Sequence, residues 1–181
     1  MSHWTRRTYK LEANHKWTCK PGYRIFVANW GAVRFDIPED WVVVPGQSFK
    51  FHDGQPPDDD CVLEFSTMQL SPEIDWNDLS APALLEEVLK GDTLRVVSHS
   101  PVVHERRHGF ELALAETRFI DDEQQREAIS RTCLALGGNT QALITIAFWP
   151  EDAARFSPVW DEVIRSLEVG PSRNPNRPRR R

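Results

Sequence analysis

His104-Glu105-Arg106-Arg107-His108-Gly109-Phe110-Glu111-Leu112-Ala113-Leu114 admits two readings, and they lead to different proteins. His104-Glu105-x-x-His108 has the spacing of a zinc peptidase motif, in which a helix puts both imidazoles on one face and the glutamate handles the water. Gly109 follows at once, and Phe110 to Leu114 then alternates apolar with polar or small residues, as a strand does. On a strand, positions 104 and 108 share a face but stand about 13 Å apart at roughly 3.3 Å per residue, too far to chelate one ion. Gly109 behind the second histidine and Pro101 shortly before the first both work against a helix. The strand reading prevails. The alternative is a zinc-dependent hydrolase with His104 and His108 as ligands and Glu105 as general base. Its third ligand is undefined: Leu114 occupies the place of a third histidine, while Glu111, Glu116, Glu123 and Glu127 offer too many substitutes.

Outward from this segment, strand patterning continues in both directions. Phe110 to Ile120 and Arg126 to Leu136 form the two arms of a predicted hairpin with Asp121-Asp122-Glu123 at its tip. Gly137-Gly138-Asn139 is a turn, and Leu143-Ile144-Thr145-Ile146-Ala147-Phe148 is a strand apolar enough to be covered on both faces. Upstream, strands are expected at Tyr23 to Asn29, Ala32 to Ile37, Val42 to Val44, Ser48 to His52, Cys61 to Ser66, Thr93 to Ser98 and Val102 to Arg106. Two stretches switch to helical period. Leu79 to Lys90 has Ser80 as a cap, Pro82 in its first turn and an apolar stripe of Leu84, Leu85, Val88 and Leu89. Ala153 to Leu167 repeats Phe156, Val159 or Trp160, Val163, Ile164 and Leu167 at helical spacing. Without regular β-α-β alternation, this predicts an α+β fold, an antiparallel β-sheet flanked by helices.

At 181 residues with 40% hydrophobic and 10% aromatic content, the chain can bury one core. The expected division is an N-terminal extension at 1–29 that is partly β, one α+β domain at 30–169, and a disordered Arg-rich tail at 170–181. Net charge is −5, yet Arg173, Arg177, Arg179, Arg180 and Arg181 sit in the tail. Setting those five aside, the 22 basic residues fall to 17 against 27 acidic ones, leaving about −10 on the body. Such a body repels phosphate backbones, so nucleic acid is an expected partner only through the tail. Cys19, Cys61 and Cys133 form no C-x-x-C pair and read as reduced thiols. Met1 to Lys20 has no apolar secretory core, and no window reaches the roughly 20 apolar residues of a membrane span. The expected location is the cytoplasm. Seven tryptophans (Trp4, Trp17, Trp30, Trp41, Trp76, Trp149, Trp160) read first as packing and second as a partner surface.

Other chemistry is thin. Asp53, Asp58, Asp59 and Asp60 could offer oxygens to a cation but lack EF-hand spacing, and read as a solvated loop. His99 and His104 with Cys61 or Cys133 match no thiol-nucleophile signature, and the cysteines read as structural. There is no phosphate-binding glycine loop, and no cofactor is expected.

Val33-Arg34-Phe35-Asp36-Ile37-Pro38-Glu39-Asp40-Trp41 matches an F-x-I-P-x-x-W pattern. Ala142-Leu143-Ile144-Thr145-Ile146 is followed by a helix ending in Ile164-Arg165-Ser166-Leu167. In these features, over roughly residues 30–169, the chain resembles the PsbP/Mog-type superfamily, especially its DcrB-like bacterial branch. The resemblance implies an antiparallel sheet with helices on its faces and a non-catalytic role, since relatives include photosystem extrinsic subunits, Ran-binding factors and chaperone-adaptors. The chain departs from them in its N-terminal extension and Arg tail, and it lacks a lumenal targeting segment. The functional expectation is therefore a non-enzymatic cytosolic binding or adaptor protein with a protein partner. A further alternative is a small-ligand binder using a cleft between the sheet and the 79–90 helix.

Overall fold

In the computed structural model, the predicted alternation becomes eleven strands and two α-helices across the described residues, 17–71, 79–91 and 94–171. In chain order these are β1 (Tyr23–Ala28), β2 (Val33–Pro38), β3 (Val42–Pro45), β4 (Phe49–His52), β5 (Cys61–Gln69), α1 (Ala81–Lys90), β6 (Arg95–His99), β7 (Val103–Arg107), β8 (Phe110–Ile120), β9 (Glu127–Gly137), β10 (Thr140–Phe148), α2 (Ala153–Ser166) and β11 (Glu168–Val169). Every pairing is antiparallel. One sheet has the order β1-β2-β11. The other runs β3-β4-β5-β10-β9-β8-β6, and β7 also pairs with β8. The outer side of β8 is thus shared: β7 takes Phe110 to Leu114 and β6 takes Thr117 to Ile120.

Local chemistry closes the turns. At the β8–β9 tip, Asp121 Oδ1 accepts the amides of Glu123 and Gln124, at 3.0 and 2.7 Å, and the Asp121 amide donates to Arg126 O. Ser80 caps α1 through Oγ, which accepts the Ala83 amide at 3.4 Å, and Gly91 closes its far end.

The two faces of the large sheet are unequal. On one, α2 contributes Phe156, Trp160, Val163 and Ile164 to a core with Phe35, Leu63, Leu112, Ile144 and Ile146. Phe26 stands within 4.9 to 5.7 Å of the rings of Phe35, Phe49, Phe51 and Phe65. The β1 strand, read from sequence as part of an extension, therefore packs a half-buried ring against the core and pairs along its length with β2. On the other face, α1 buries Ala81 and Leu85 against Ala113, Ala115 and Leu134. The prediction that β10 is covered on both faces needs correction. Ala142, Ile144, Ile146 and Phe148 are buried, whereas Gln141, Leu143, Thr145 and Ala147 are half-buried. A ten-residue helix is about 15 Å long and cannot roof an eight-stranded sheet whose strands lie about 4.8 Å apart.

Trp41 and Trp160 are buried and Trp17, Trp30 and Trp149 half-buried, so the described tryptophans follow the packing reading. Trp4, Trp76 and the Arg-rich tail from Ser172 lie outside the described residues. Where β9 ends, a Cβ on Gly137 would stand 2.4 Å from Val169 O. Gly137→Ala is expected to cost about 1–3 kcal/mol by overpacking β9 against β11; urea denaturation checks it, and an unchanged midpoint would contradict the close approach.

Candidate functional site

Strand alternation splits the sequence motif between two helices. In β7, His104 and Arg106 lie opposite Ala113 and Glu111, on the face that carries α1. Glu105 and Arg107 lie opposite Leu112 and Phe110, on the α2 face. His108 sits in the two-residue turn to β8, where Gly109 supplies the positive φ of 84°. The helical face that H-E-x-x-H chemistry requires is not formed, which corrects the zinc alternative for His104, Glu105 and His108. Among the described residues, no three His, Cys, Asp or Glu side chains gather where a metal ion could be held.

His104, Glu105 and Arg107 have structural partners instead. His104 Nε2 donates to Glu111 Oε2 at 2.9 Å, while Glu111 Oε1 accepts the Ala81 amide at 2.8 Å. The carboxylate thereby caps the first turn of α1 beside Ser80, where Pro82 brings no amide of its own. Burial pushes the Glu111 carboxyl upward, but the Ala81 amide and His104 outweigh it and hold the group below its ordinary value. On the opposite face, Arg107 Nη1 donates to Ile164 O in the last turn of α2 at 2.5 Å. Glu105 grips the same guanidinium at 2.7 and 3.2 Å, and that bond holds its carboxyl low.

The remaining sequence candidates disperse. Glu116 accepts Arg131 Nε at 2.9 Å across β8–β9, and Glu127 accepts Arg118 at 2.7 Å. The Glu123 amide serves the hairpin tip, and Leu114 packs against the α2 core. His99 Nδ1 bonds Thr117 Oγ1 at 2.9 Å. Burial pushes the Cys133 thiol up to about 12 and raises Cys61 as well. The aspartate loop is a second correction, because it is pinned rather than merely solvated. Asp53 accepts the amides of Asp60 and Cys61 and receives Arg155 Nη2 at 2.7 Å, with its side chain only 4% exposed. Arg155 also reaches Asp60, and His52 Nδ1 bonds Asp59 at 2.8 Å, while Asp58 is exposed.

Sequence reasoning missed one cluster entirely. Asp36 of β2 and Glu162 of α2 have side chains 6% and 8% exposed. Arg165 Nη2 stands 2.5 Å from Glu162 and 4.0 Å from Asp36, whose Oδ2 is buried with no hydrogen-bond partner among the described residues. Burial, and next the charge of Glu162, raise the Asp36 carboxyl; the Arg165 bond holds Glu162 low. Nothing in the alternating stretch from Val33 to Ile37 sets Asp36 apart from a solvent-facing residue.

The cleft expected between the sheet and α1 is filled by Ala81 and Leu85. An open hollow of about 360 Å³ lies at the N-terminal end of α1, lined by Leu70, Leu79, Arg106, Phe110 and Leu136. Another of about 300 Å³ lies between α2 and the β7–β8 edge, lined by Val103, Leu114, Glu116, Arg131 and Trp160. No described helix is long and apolar enough to cross a membrane.

Comparison with known proteins bears on the whole arrangement. The Alr1449 family profile matches residues 24–172. The uncharacterized protein alr1449 of Nostoc sp. is 45% identical over 169 residues, spanning 92% of this chain and 88% of the relative. The cyanobacterial PsbP (CyanoP) of Synechocystis sp. superposes with a TM-score of 0.56 at 14% identity, over 85% of this chain and 98% of its own. LpqN of Mycobacterium tuberculosis, described as involved in cell envelope biogenesis, gives 0.51 at 14% identity, over 84% and 87%. At such identities these two similarities speak for the fold, which is of the PsbP type.

The clips on the β7–β8 hairpin can be tested by two substitutions. Arg107→Ala, by freeing the α2 terminus, is expected to cost about 1.5–3 kcal/mol, against well under 1 kcal/mol for the exposed Arg106; thermal and urea melts of both variants check the contrast. A Glu111 carboxyl held below its ordinary 4.5 stabilises the fold above that pH and loses the effect as pH falls through the folded-state value. Glu111→Gln should therefore melt lower at pH 7 by about 1 kcal/mol and show a flatter acid limb below pH 4.5; parallel limbs would remove Glu111 as an ionised cap.

Proposed function

The chain belongs to the Alr1449 family, and from that premise we propose that it is a non-enzymatic binding protein, an adaptor that docks a protein partner. One observation carries the reading: the outer edge of the large sheet is left apolar and open. All five residues of β6 are exposed, with Val96 at 38% and Val97 at 56%, and Val103 at the start of β7 is 58% exposed. A run of exposed valines on an edge strand invites pairing with another chain. The involvement of His104, Glu105 and Glu111 in holding the helices supports the same reading, because it leaves these groups a structural task. A cytosolic setting is part of the proposal, supported by three unpaired cysteines of which Cys19 is exposed.

The test is native mass spectrometry of the protein purified gently from its own host, beside Val97→Asp. A stoichiometric partner present with the parent chain and lost from the exposed-edge variant is the expected result. One bound zinc per chain, absent after His104→Ala, would overturn the proposal and make peptidase assays the next step.

A further inference from the structure

The edge that supports the binding reading also differs in charge from the rest of the chain. Between residues 94 and 108, Arg95, Arg106 and Arg107 stand against Glu105 alone, with His99, His104 and His108 beside them, while the body as a whole is acidic. Glu105 is taken up by Arg107. Arg106 is 82% exposed and stands 4.0 Å from Glu111, whose carboxylate already takes the Ala81 amide and His104, and Arg95 meets the neutral Gln125 at 3.4 Å. The exposed guanidinium groups of Arg95 and Arg106 therefore lie at the edge itself, next to Val96, Val97 and Val103.

The alternation of β7 sorts these features by face. Arg106 and His104 project on the α1 side. Val103 projects on the α2 side, beside the hollow lined by Leu114 and Trp160. β7 keeps an unbroken register of five residues with β8, and no described strand pairs with its other side. The neighbouring β6 is different: its register shifts between Val96 and Ser98, and Pro101 beyond it has no amide to donate. An added strand can therefore pair with only about five residues, roughly 17 Å of chain.

Resting on the binding-protein reading, we infer that β7 accepts an extended acidic segment of a partner protein by strand addition. The segment alternates carboxylate and apolar residues. Its carboxylates face Arg106 on the α1 side, and an apolar side chain on the other face lies against Val103 and enters the hollow beside Trp160. A second copy of this chain fits poorly. Antiparallel self-pairing centred on Glu105 would set two glutamates opposite each other and Val103 opposite Arg107.

The experiment uses the full chain, isotope-labelled, titrated with a blocked seven-residue peptide alternating glutamate and valine. A lysine–valine peptide is the control. Amide shifts centred on 95–107, protection of β7 amides from exchange, and affinity falling about tenfold with Arg106→Glu or on raising salt from about 50 to 500 mM are expected. Arg106 is exposed enough for that variant to fold, and its melting curve confirms this. Equal binding of the lysine peptide, shifts centred elsewhere, or no shift at millimolar peptide would overturn strand addition by an acidic segment. If the peptide fails while Val97→Asp still loses a host partner, the adaptor reading stands alone; if both fail, both are overturned.

Discussion

Alternation across the β7–β8 hairpin decides where both helices are held. Strands between two helical layers send successive side chains to opposite faces, so one hairpin can hold both, α2 from β7 and α1 from β8. Each helix end carries backbone groups that its own turns cannot satisfy. Glu111 brings negative charge to the amide end of α1, and Arg107 brings positive charge to the carbonyl end of α2. Both signs agree with the helix dipole. A one-residue slip would exchange the faces, turning His104 toward α2 and lifting Arg107 away from Ile164. The His108-Gly109 turn sets the register, and there the positive φ of Gly109 makes a two-residue connection possible.

This arrangement accounts for what the motif hid. His104 and Glu105 are neighbours in a catalytic reading, but on a strand they cannot share a task. Alternation at Phe110 to Leu114 and the glycine before it made the strand legible without coordinates. So did the Asp121 tip, the cap at Ser80 and the apolar stripes of both helices, because each rests on residues close in sequence. The partners of those residues were not legible. Nothing near Glu111 announces the Ala81 amide, and nothing near Asp53 announces Arg155. Such pairings exist only once distant strands and helices have been brought together. The aspartate loop therefore read as solvated although Arg155 and His52 hold it down.

Asp36 and Glu162 show the same limit from another side. Period-2 reasoning sends Asp36 to the face opposite Phe35 and Ile37, which in a two-layer protein would be water. Here α2 packs on β2, so that face is covered too and the carboxyl is enclosed beside a second one. Arg165 satisfies Glu162 at 2.5 Å and leaves Asp36 at 4.0 Å, so the penalty of burial falls on Asp36. The Ser166 hydroxyl accepts the Asp36 amide at 2.8 Å and so fastens the same helix end that Arg107 holds from the other sheet.

An open sheet has to end somewhere, and its two ends here are not equivalent. β3 exposes Val43 and Val44 but finishes in Pro45, which removes a donor from a four-residue strand. At the other end, β6 is interrupted at Val97, while β7 beside it stays regular. An edge that needed only protection would carry charge without exposed valine, and one that needed only to bind would be flat and uncharged. β7 combines Val103 with Arg106 and His104 on alternate faces, bounded by Pro101 on one side and the Gly109 turn on the other. Pairing there is limited in length by its boundaries and in sign by its arginine. Those are the constraints that separate selective strand addition from indiscriminate association.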